Sequence, residues 1–219
     1  MIDYVTLLLI NMVSALVTLA FFLWWGLGRE EARSWAPAFG ISGLVATVAG
    51  LAMTFTGPIP KPFASAYGEM SVFLGVLFLG TAWTLTRGWS LLPLGIYAFF
   101  AGLAAIVIGV RFVHLSLTPM PLLPGTGFVL TGLGGVWAGI VLRKQETKAL
   151  RLAGALVMLA AACIWALAGY MGYWDHMKVK PPSETTTSWV QPPPSNTMAT
   201  ILTRIAPCRW PSEPDFPTL

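Results

Sequence analysis

The chain has 219 residues, of which 56% are hydrophobic and 10% are charged, and its formal net charge is +4. A soluble domain carries about 25% charged residues, so this composition excludes an ordinary water-soluble globular protein. The basic residues are thinly spread and no glycine-rich phosphate loop follows a strand pattern, so the positive charge does not indicate a nucleic-acid partner.

Six uncharged apolar stretches follow one another along the chain, and each has about the 17–25 residues that a helix needs to cross a bilayer. Backbone polar groups cannot stay unpaired in lipid, so such stretches form helices rather than loops or open sheets. We therefore predict an all-α integral membrane protein, with a six-transmembrane-helix bundle over residues 1–176 in contact with the lipid bilayer. The predicted spans are Tyr4–Leu27, Trp35–Phe55, Met70–Thr86, Trp89–Val110, Leu122–Leu142 and Leu152–Trp174.

The distribution of cations between the loops predicts the orientation. The loops near residues 31, 87 and 147 carry seven Lys and Arg residues, whereas the opposite loops carry only Lys61 and Arg111, with Lys178 and Lys180 just after the last span. Cytoplasmic loops are enriched in such cations. We expect a multi-pass protein of the plasma membrane with both termini outside.

The two loops predicted to lie outside are rich in proline. They span residues 56–62 and 118–124, and each joins an even-numbered span to the next odd-numbered one. Proline fixes φ and removes a hydrogen-bond donor, so these loops should be stiff and extended. Their similarity raises the hypothesis that a two-helix unit was duplicated.

Small residues recur at four-residue spacing in the second, fourth and fifth spans. Such a spacing gives a smooth helix face on which a neighbouring backbone can approach closely. We expect these faces to pack within the bundle, with contact between copies as a second use. The residues selected as helix-packing positions are Gly50, Gly109, Gly135 and Gly139.

Glu69 is an acid that directly precedes the third predicted span. We expect the helix to begin near Ala66, which would place Glu69 in its first turn. One interpretation is a favourable interaction with the positive end of the helix dipole. The other is a functional carboxylate, since ionisable groups at membrane depth are costly and tend to pair or to line cavities.

The predicted topology brings several further polar residues to the same outer face as Glu69. Three interpretations stay open: helix ends marked by groups at the lipid headgroups, a Glu69–Arg111 ion pair, or a metal or haem site using the histidines and a carboxylate. Zinc or copper would suit such ligands, but no HxxxH or CxxC spacing is present. The cofactor and any metal are therefore unknown. The candidate outer-face polar cluster is Glu69, Arg111, His114, Asp175 and His176.

Residues 177–219 differ abruptly from the rest of the chain. This segment holds nine prolines and a Ser/Thr-rich stretch without apolar periodicity. It cannot bury enough surface to offset the entropy lost on ordering. We predict a largely disordered tail.

One segment resembles a known family. Gly57-Pro58 leads to Phe63, and Ala66-Tyr67-Gly68-Glu69 then runs into Phe73-Leu74-Gly75-Val76-Leu77. This pattern resembles the bacterial and archaeal membrane proteins of domain-of-unknown-function family 981. The resemblance implies a similar size and number of spans over most of residues 1–175. It implies Gly68 and Glu69 as family features, but no activity.

No residue pattern indicates a catalytic site, so we expect a protein that is not an enzyme. The first functional hypothesis is an accessory or structural subunit of a larger membrane complex, contacting other subunits through residues 177–219. The second is a small transporter or channel in which Glu69 and Arg111 gate the outer mouth. The third is a membrane redox component that binds metal or haem at the outer face.

Overall fold

The computed structural model describes residues 4–176, and these residues are helical except for short connections. Six helices are long and apolar enough to span a membrane, which confirms the predicted fold class. The chain is therefore a multi-pass membrane protein. The predicted tail, residues 177–219, lies outside the described residues.

We number the six spanning helices α1 to α6. Helix α1 is α-helical over Tyr4–Phe21 and ends in a π-helical turn, Phe22–Gly26. Helix α2 has a 3-10 turn, Glu30–Trp35, before its α-helical part, Ala36–Thr56. Helix α3 comprises a short turn, Lys61–Phe63, a π-helical segment, Ala64–Glu69, and an α-helix, Met70–Arg87. The others are α4, Leu92–His114, α5, Leu122–Arg143, and α6, Lys148–His176.

Helix α3 begins earlier than the sequence predicted. Its first turn starts at Lys61, where Pro62 occupies one of the first two positions of the helix. Proline is tolerated there because the first N–H groups of a helix have no intrahelical partner. Glu69 consequently lies at the end of the π-helical segment, about two turns into the helix rather than in its first turn.

Glycines end two of the helices. Gly57 has φ +54° and its N–H donates to the Met53 carbonyl oxygen, which terminates α2. Gly88 has φ +68° and donates to the Leu85 carbonyl oxygen at the end of α3. Residues with a Cβ rarely adopt these left-handed conformations, so glycine is favoured at both points.

The helices form a closed ring in chain order, in which α6 also packs against α1. The closest pairs are the antiparallel hairpins α4–α5 and α2–α3, together with α1–α6, and the sparsest contact in the ring is α3–α4. The terminal end of the ring holds Tyr4 and Trp174. The opposite end holds Gly26, Arg87 and Arg143.

Paired glycines bring the helices of both hairpins into backbone contact. In α4–α5, a Cβ added to Gly102 would lie 2.5 Å from the Gly132 carbonyl oxygen, and a Cβ on Gly132 would lie 2.5 Å from the Gly102 carbonyl oxygen. Gly109 and Gly125 face each other in the same way, seven residues away along each helix. A Cβ added to Gly109 would lie 2.6 Å from the Gly125 carbonyl oxygen, and one added to Gly125 would lie 3.0 Å from the Gly109 carbonyl oxygen. Only residues without a side chain permit this approach.

Hairpin α2–α3 repeats this arrangement. Gly43 faces Gly75, with hypothetical Cβ-to-carbonyl distances of 2.9 and 2.8 Å, and Gly50 faces Gly68 at 2.9 and 3.4 Å. All four helices thus place their facing glycines seven residues apart. This repetition is what a duplicated two-helix unit predicts, and duplication itself stays a hypothesis.

Candidate functional site: an apolar cavity on the axis of the bundle

A cavity of about 130 Å³ lies inside the ring, and all six helices contribute to its wall. Its size is close to the roughly 150 Å³ of an engineered apolar cavity that stays dry and binds benzene. None of the residues that line it is charged. One lining residue from each helix, in order from α1 to α6, is Leu16, Phe39, Leu77, Ala98, Phe128 and Met158.

The polar side chains in the cavity wall are Thr81 on α3 and Thr131 on α5. Each hydroxyl donates a hydrogen bond of 2.8 Å to a carbonyl oxygen of its own helix, Thr81 to Leu77 and Thr131 to Gly127. A hydroxyl has one hydrogen to donate and two lone pairs. A solute in the cavity would therefore find hydrogen-bond acceptors, but no free hydrogen-bond donors, among the lining side chains.

An aromatic cluster lies towards the terminal end of the bundle, and one of its members, Phe128, lines the cavity. It consists of Tyr67, Phe112, Phe128 and Trp165, contributed by four consecutive helices of the ring. Their ring centroids lie 4.9 to 6.4 Å apart, the range in which aromatic pairs attract each other. We call these four residues the terminal-side cluster.

A second aromatic cluster lies in the part of the cavity wall nearer the opposite end. Phe39 lies 5.3 Å from Phe22 and 5.2 Å from Phe78, ring centroid to ring centroid, both edge to face. The three phenylalanines come from α2, α1 and α3, and each is almost fully buried. We call them the opposite-side cluster, and all three line the cavity.

The outer-face residues predicted from the sequence lie elsewhere. Glu69, Arg111 and His114 are exposed and do not line the cavity. Within residues 4–176 no ion pair joins Glu69 to Arg111. Asp175 and His176 end helix α6, and their side chains lie outside what the structure describes.

The metal-site interpretation gains no support from this arrangement. The described part of the chain contains no group of three His, Cys, Asp or Glu residues that could hold a metal ion. Because the side chain of His176 lies outside the description, the redox hypothesis stays a prediction.

The glycines selected from the sequence for helix packing occupy two kinds of environment. Hypothetical Cβ atoms on Gly50, Gly109 and Gly135 would lie 2.9, 2.6 and 2.6 Å from a carbonyl oxygen of the neighbouring helix. At Gly139 the nearest such atom is 3.9 Å away. Three of the four therefore lie in backbone contacts, and the fourth has room for a methyl group.

Sequence reasoning missed the aromatic residues of the two clusters. They lie within spans that are apolar all round, where hydropathy does not separate a residue facing a cavity from one facing lipid. A detectable signal was Trp165, which lies in the interior of the last span although tryptophan is enriched at membrane interfaces. The structure buries it completely.

The cryo-electron-microscopy structure of the Helicobacter pylori urea channel in its closed state is similar to this chain, with a TM-score of 0.63 and 12% sequence identity. The similarity covers 79% of this chain and 99% of the channel chain, and at this identity it shows the fold alone. No curated protein matches the chain. The family model described as protein of unknown function (DUF981) matches residues 1–179, which confirms the resemblance seen in the sequence, and the chain belongs to that family.

Proposed function

We propose that this protein is a membrane channel for small uncharged solutes and that the central cavity is the middle of the conduction path. The observation that carries the proposal is the cavity itself, which lies inside a closed ring of six spanning helices and has no charged lining residue. We take the terminal-side and opposite-side clusters to be the parts that close its two ends, so on this proposal the described conformation is a closed channel.

The chemistry of the wall favours uncharged solutes over ions. An ion entering this cavity would lose its hydration shell and would gain neither an opposite charge nor a ring of carbonyl ligands. Transfer of an isolated charge into such surroundings is strongly unfavourable. Hydrophobic constrictions also block ions by excluding water when they are narrow. For a small neutral molecule, both the loss of hydration and the exclusion of water at a constriction are smaller barriers than they are for an ion.

The fold similarity supports the same class of function. The similar structure is that of a urea channel, and urea is a small uncharged molecule. That this chain also conducts a small uncharged solute is a proposal, since the similarity shows the fold alone. The lining side chains offer acceptors but no free side-chain donor, so less polar solutes should permeate at least as well as urea.

The proposed gate differs from the one expected from the sequence. A channel gated by Glu69 and Arg111 would place these side chains in the path, whereas both are exposed and outside the cavity wall. Aromatic rings line the cavity instead. We assign the closing function to Phe128 at the terminal-side cluster and to Phe39 and Phe78 at the opposite-side cluster.

Solute flux into proteoliposomes tests the proposal. Stopped-flow light scattering would compare urea and acetamide with a potassium salt, using protein-free vesicles as the baseline. We expect flux of the uncharged solutes above that baseline, a loss of flux in Leu77→Trp, which fills the cavity, and an increase in Phe128→Ala. Phe55→Ala is the matched control, because Phe55 is 83% exposed and lines no part of the cavity.

Two results would overturn this function. The first is that no uncharged solute crosses faster than through protein-free vesicles. The second is that flux in Leu77→Trp equals that of the wild type while the variant stays folded and monodisperse.

The accessory-subunit hypothesis and the predicted orientation are separate proposals. The accessory-subunit hypothesis depends on residues 177–219, which lie outside the described residues. It predicts that copurifying partner proteins are lost when residues 177–219 are removed. The second rests on the cations of the loops and predicts that the terminal end faces outward across the plasma membrane. Labelling of a cysteine introduced at Lys61 with a membrane-impermeant reagent on intact cells tests it.

A further inference from the structure

A groove on the outside of the bundle follows the seam between α3 and α4. This seam is the sparsest contact between neighbouring helices of the ring. The groove is lined by apolar and aromatic side chains, among them Phe73, Ile96, Tyr97, Phe100 and Ala101. None of its lining residues is charged, so it presents a surface compatible with the hydrocarbon of the bilayer.

Phe73 and Ala101 line both this groove and the central cavity. Phe73 is 39% exposed although it belongs to the cavity wall, and it is the one exposed residue in that wall within the described part of the chain. Its ring lies 6.1 Å from that of Tyr97 across the seam. Opposite it, Ala101 presents only a methyl group. At this point the same side chains therefore line both the cavity and the groove.

We propose that the α3–α4 seam is a lateral portal through which small membrane-soluble solutes pass between the hydrocarbon and the central cavity, with Phe73 as its movable part. This inference rests on the proposed channel function. It narrows the proposed substrates from small uncharged solutes in general to those that dissolve in the membrane. A solute already dissolved in lipid reaches an apolar cavity without crossing either aromatic cluster and without losing hydration.

In the proposed portal, rotation of the Phe73 side chain opens the path. Phe73 has neighbours on the groove side that are aromatic or aliphatic, so its displacement breaks no hydrogen bond. The absence of a large side chain at Ala101 leaves the opposite edge of the seam free. Rotamer changes of exposed side chains take picoseconds to nanoseconds, which is fast compared with solute passage.

Photolabelling with a short-chain dialkyl diazirine dissolved in the lipid tests the portal. Met158 lies on α6, is buried, and contacts the cavity rather than the groove, so its modification reports a probe inside the cavity. In proteoliposomes of the full chain we expect mass spectrometry to find Met158 modified. Phe73→Trp should lower this modification severalfold, and Phe73→Ala should raise it.

Val76→Trp is the matched control, since Val76 is exposed on the same helix and lines neither the cavity nor the groove. Ala101→Leu, which narrows the seam from α4, gives a second test that does not depend on Phe73. Equal modification of Met158 in Phe73→Trp, Ala101→Leu and Val76→Trp would overturn the portal. The stopped-flow result would still stand in that case, because solutes could enter along the axis. A different result would overturn the proposed channel but not the portal. In it, the wild-type protein shows no solute flux above protein-free vesicles, while the labelling of Met158 still depends on Phe73.

Discussion

The indole Nε1 of Trp165 donates a hydrogen bond of 3.0 Å to the hydroxyl of Thr131, which ties α6 to α5 at the wall of the cavity. Trp165 is completely buried and its ring lies 4.9 Å from that of Phe128, edge to face. The small residue Gly127 makes room for the indole, because a Cβ there would lie 2.8 Å from it. One polar contact thus positions the largest ring of the terminal-side cluster.

Thr131→Val should destabilise the bundle, because it keeps the shape of the side chain but leaves the indole N–H of Trp165 unpaired. A hydrogen bond between membrane helices contributes about 0.6 kcal/mol on average, and a buried donor left unpaired costs about 1–3 kcal/mol. We expect a loss of about 1 kcal/mol, measured by unfolding in mixed detergent micelles. Thr126→Val is the control, since its exposed hydroxyl bonds only to carbonyl oxygens of its own helix. Equal effects of the two changes would contradict the assignment.

Gly102→Ala should destabilise the α4–α5 hairpin, whereas Gly139→Ala on the same interface should not. The added methyl would lie 2.5 Å from a backbone oxygen at Gly102 but 3.9 Å from the nearest atom at Gly139. Overpacking costs about 1–3 kcal/mol, while alanine in place of glycine inside a helix gains about 0.5–1 kcal/mol. The melting temperatures in detergent should therefore shift in opposite directions. A similar decrease for both variants would mean that the close glycine contacts do not control the packing.

Arg151 should stabilise the end of α1. Its guanidinium donates to the carbonyl oxygens of Leu23 and Trp24, at 2.7 and 2.9 Å, in the π-helical turn. Hydrogen bonds that involve a charged group contribute about 1.5–3 kcal/mol, and this half-buried side chain should lie at the lower end. Arg151→Ala should therefore lower the free energy of unfolding by about 1.5 kcal/mol.

Arg151→Lys should recover only part of the loss, because one ammonium does not reproduce the fork that reaches two carbonyls. Lys148→Ala is the control for loss of charge in the same first turn of α6, since Lys148 is exposed. A loss as large in Lys148→Ala would show that the charge near the membrane, and not the contact with α1, is responsible.

The spans were predictable because length and hydropathy determine them directly. Five of the six begin and end within a few residues of the prediction. The exception is α3, where Pro62 and the less apolar π-helical segment Ala64–Glu69 hid the first turns. Arg151 was predicted only as a cation that sets orientation, since a contact with carbonyls of Leu23 and Trp24 on a distant helix leaves no local pattern.

The candidate site was much less predictable. Polar residues such as Glu69 attract attention in an apolar sequence, but the cavity is built from apolar residues that resemble those facing lipid. The order of the helices in the ring decides which face is internal, and no single helix encodes it. A regular signal did exist in the seven-residue spacing of Gly43–Gly50, Gly68–Gly75, Gly102–Gly109 and Gly125–Gly132, which identifies the two close hairpins.

Glu69 and Met70 are adjacent in the chain and should have opposite importance for conduction. Glu69 is exposed on the outside of α3, whereas Met70 is buried and lines the cavity. Glu69→Gln removes the charge and keeps the size, so uncharged-solute flux should stay at the wild-type level. Met70→Ala enlarges the cavity and should change the flux. Stopped-flow measurements on proteoliposomes with matched protein content test both variants. Flux abolished by Glu69→Gln and unaffected by Met70→Ala would restore the outer-face carboxylate as the gate and remove the cavity from the conduction path.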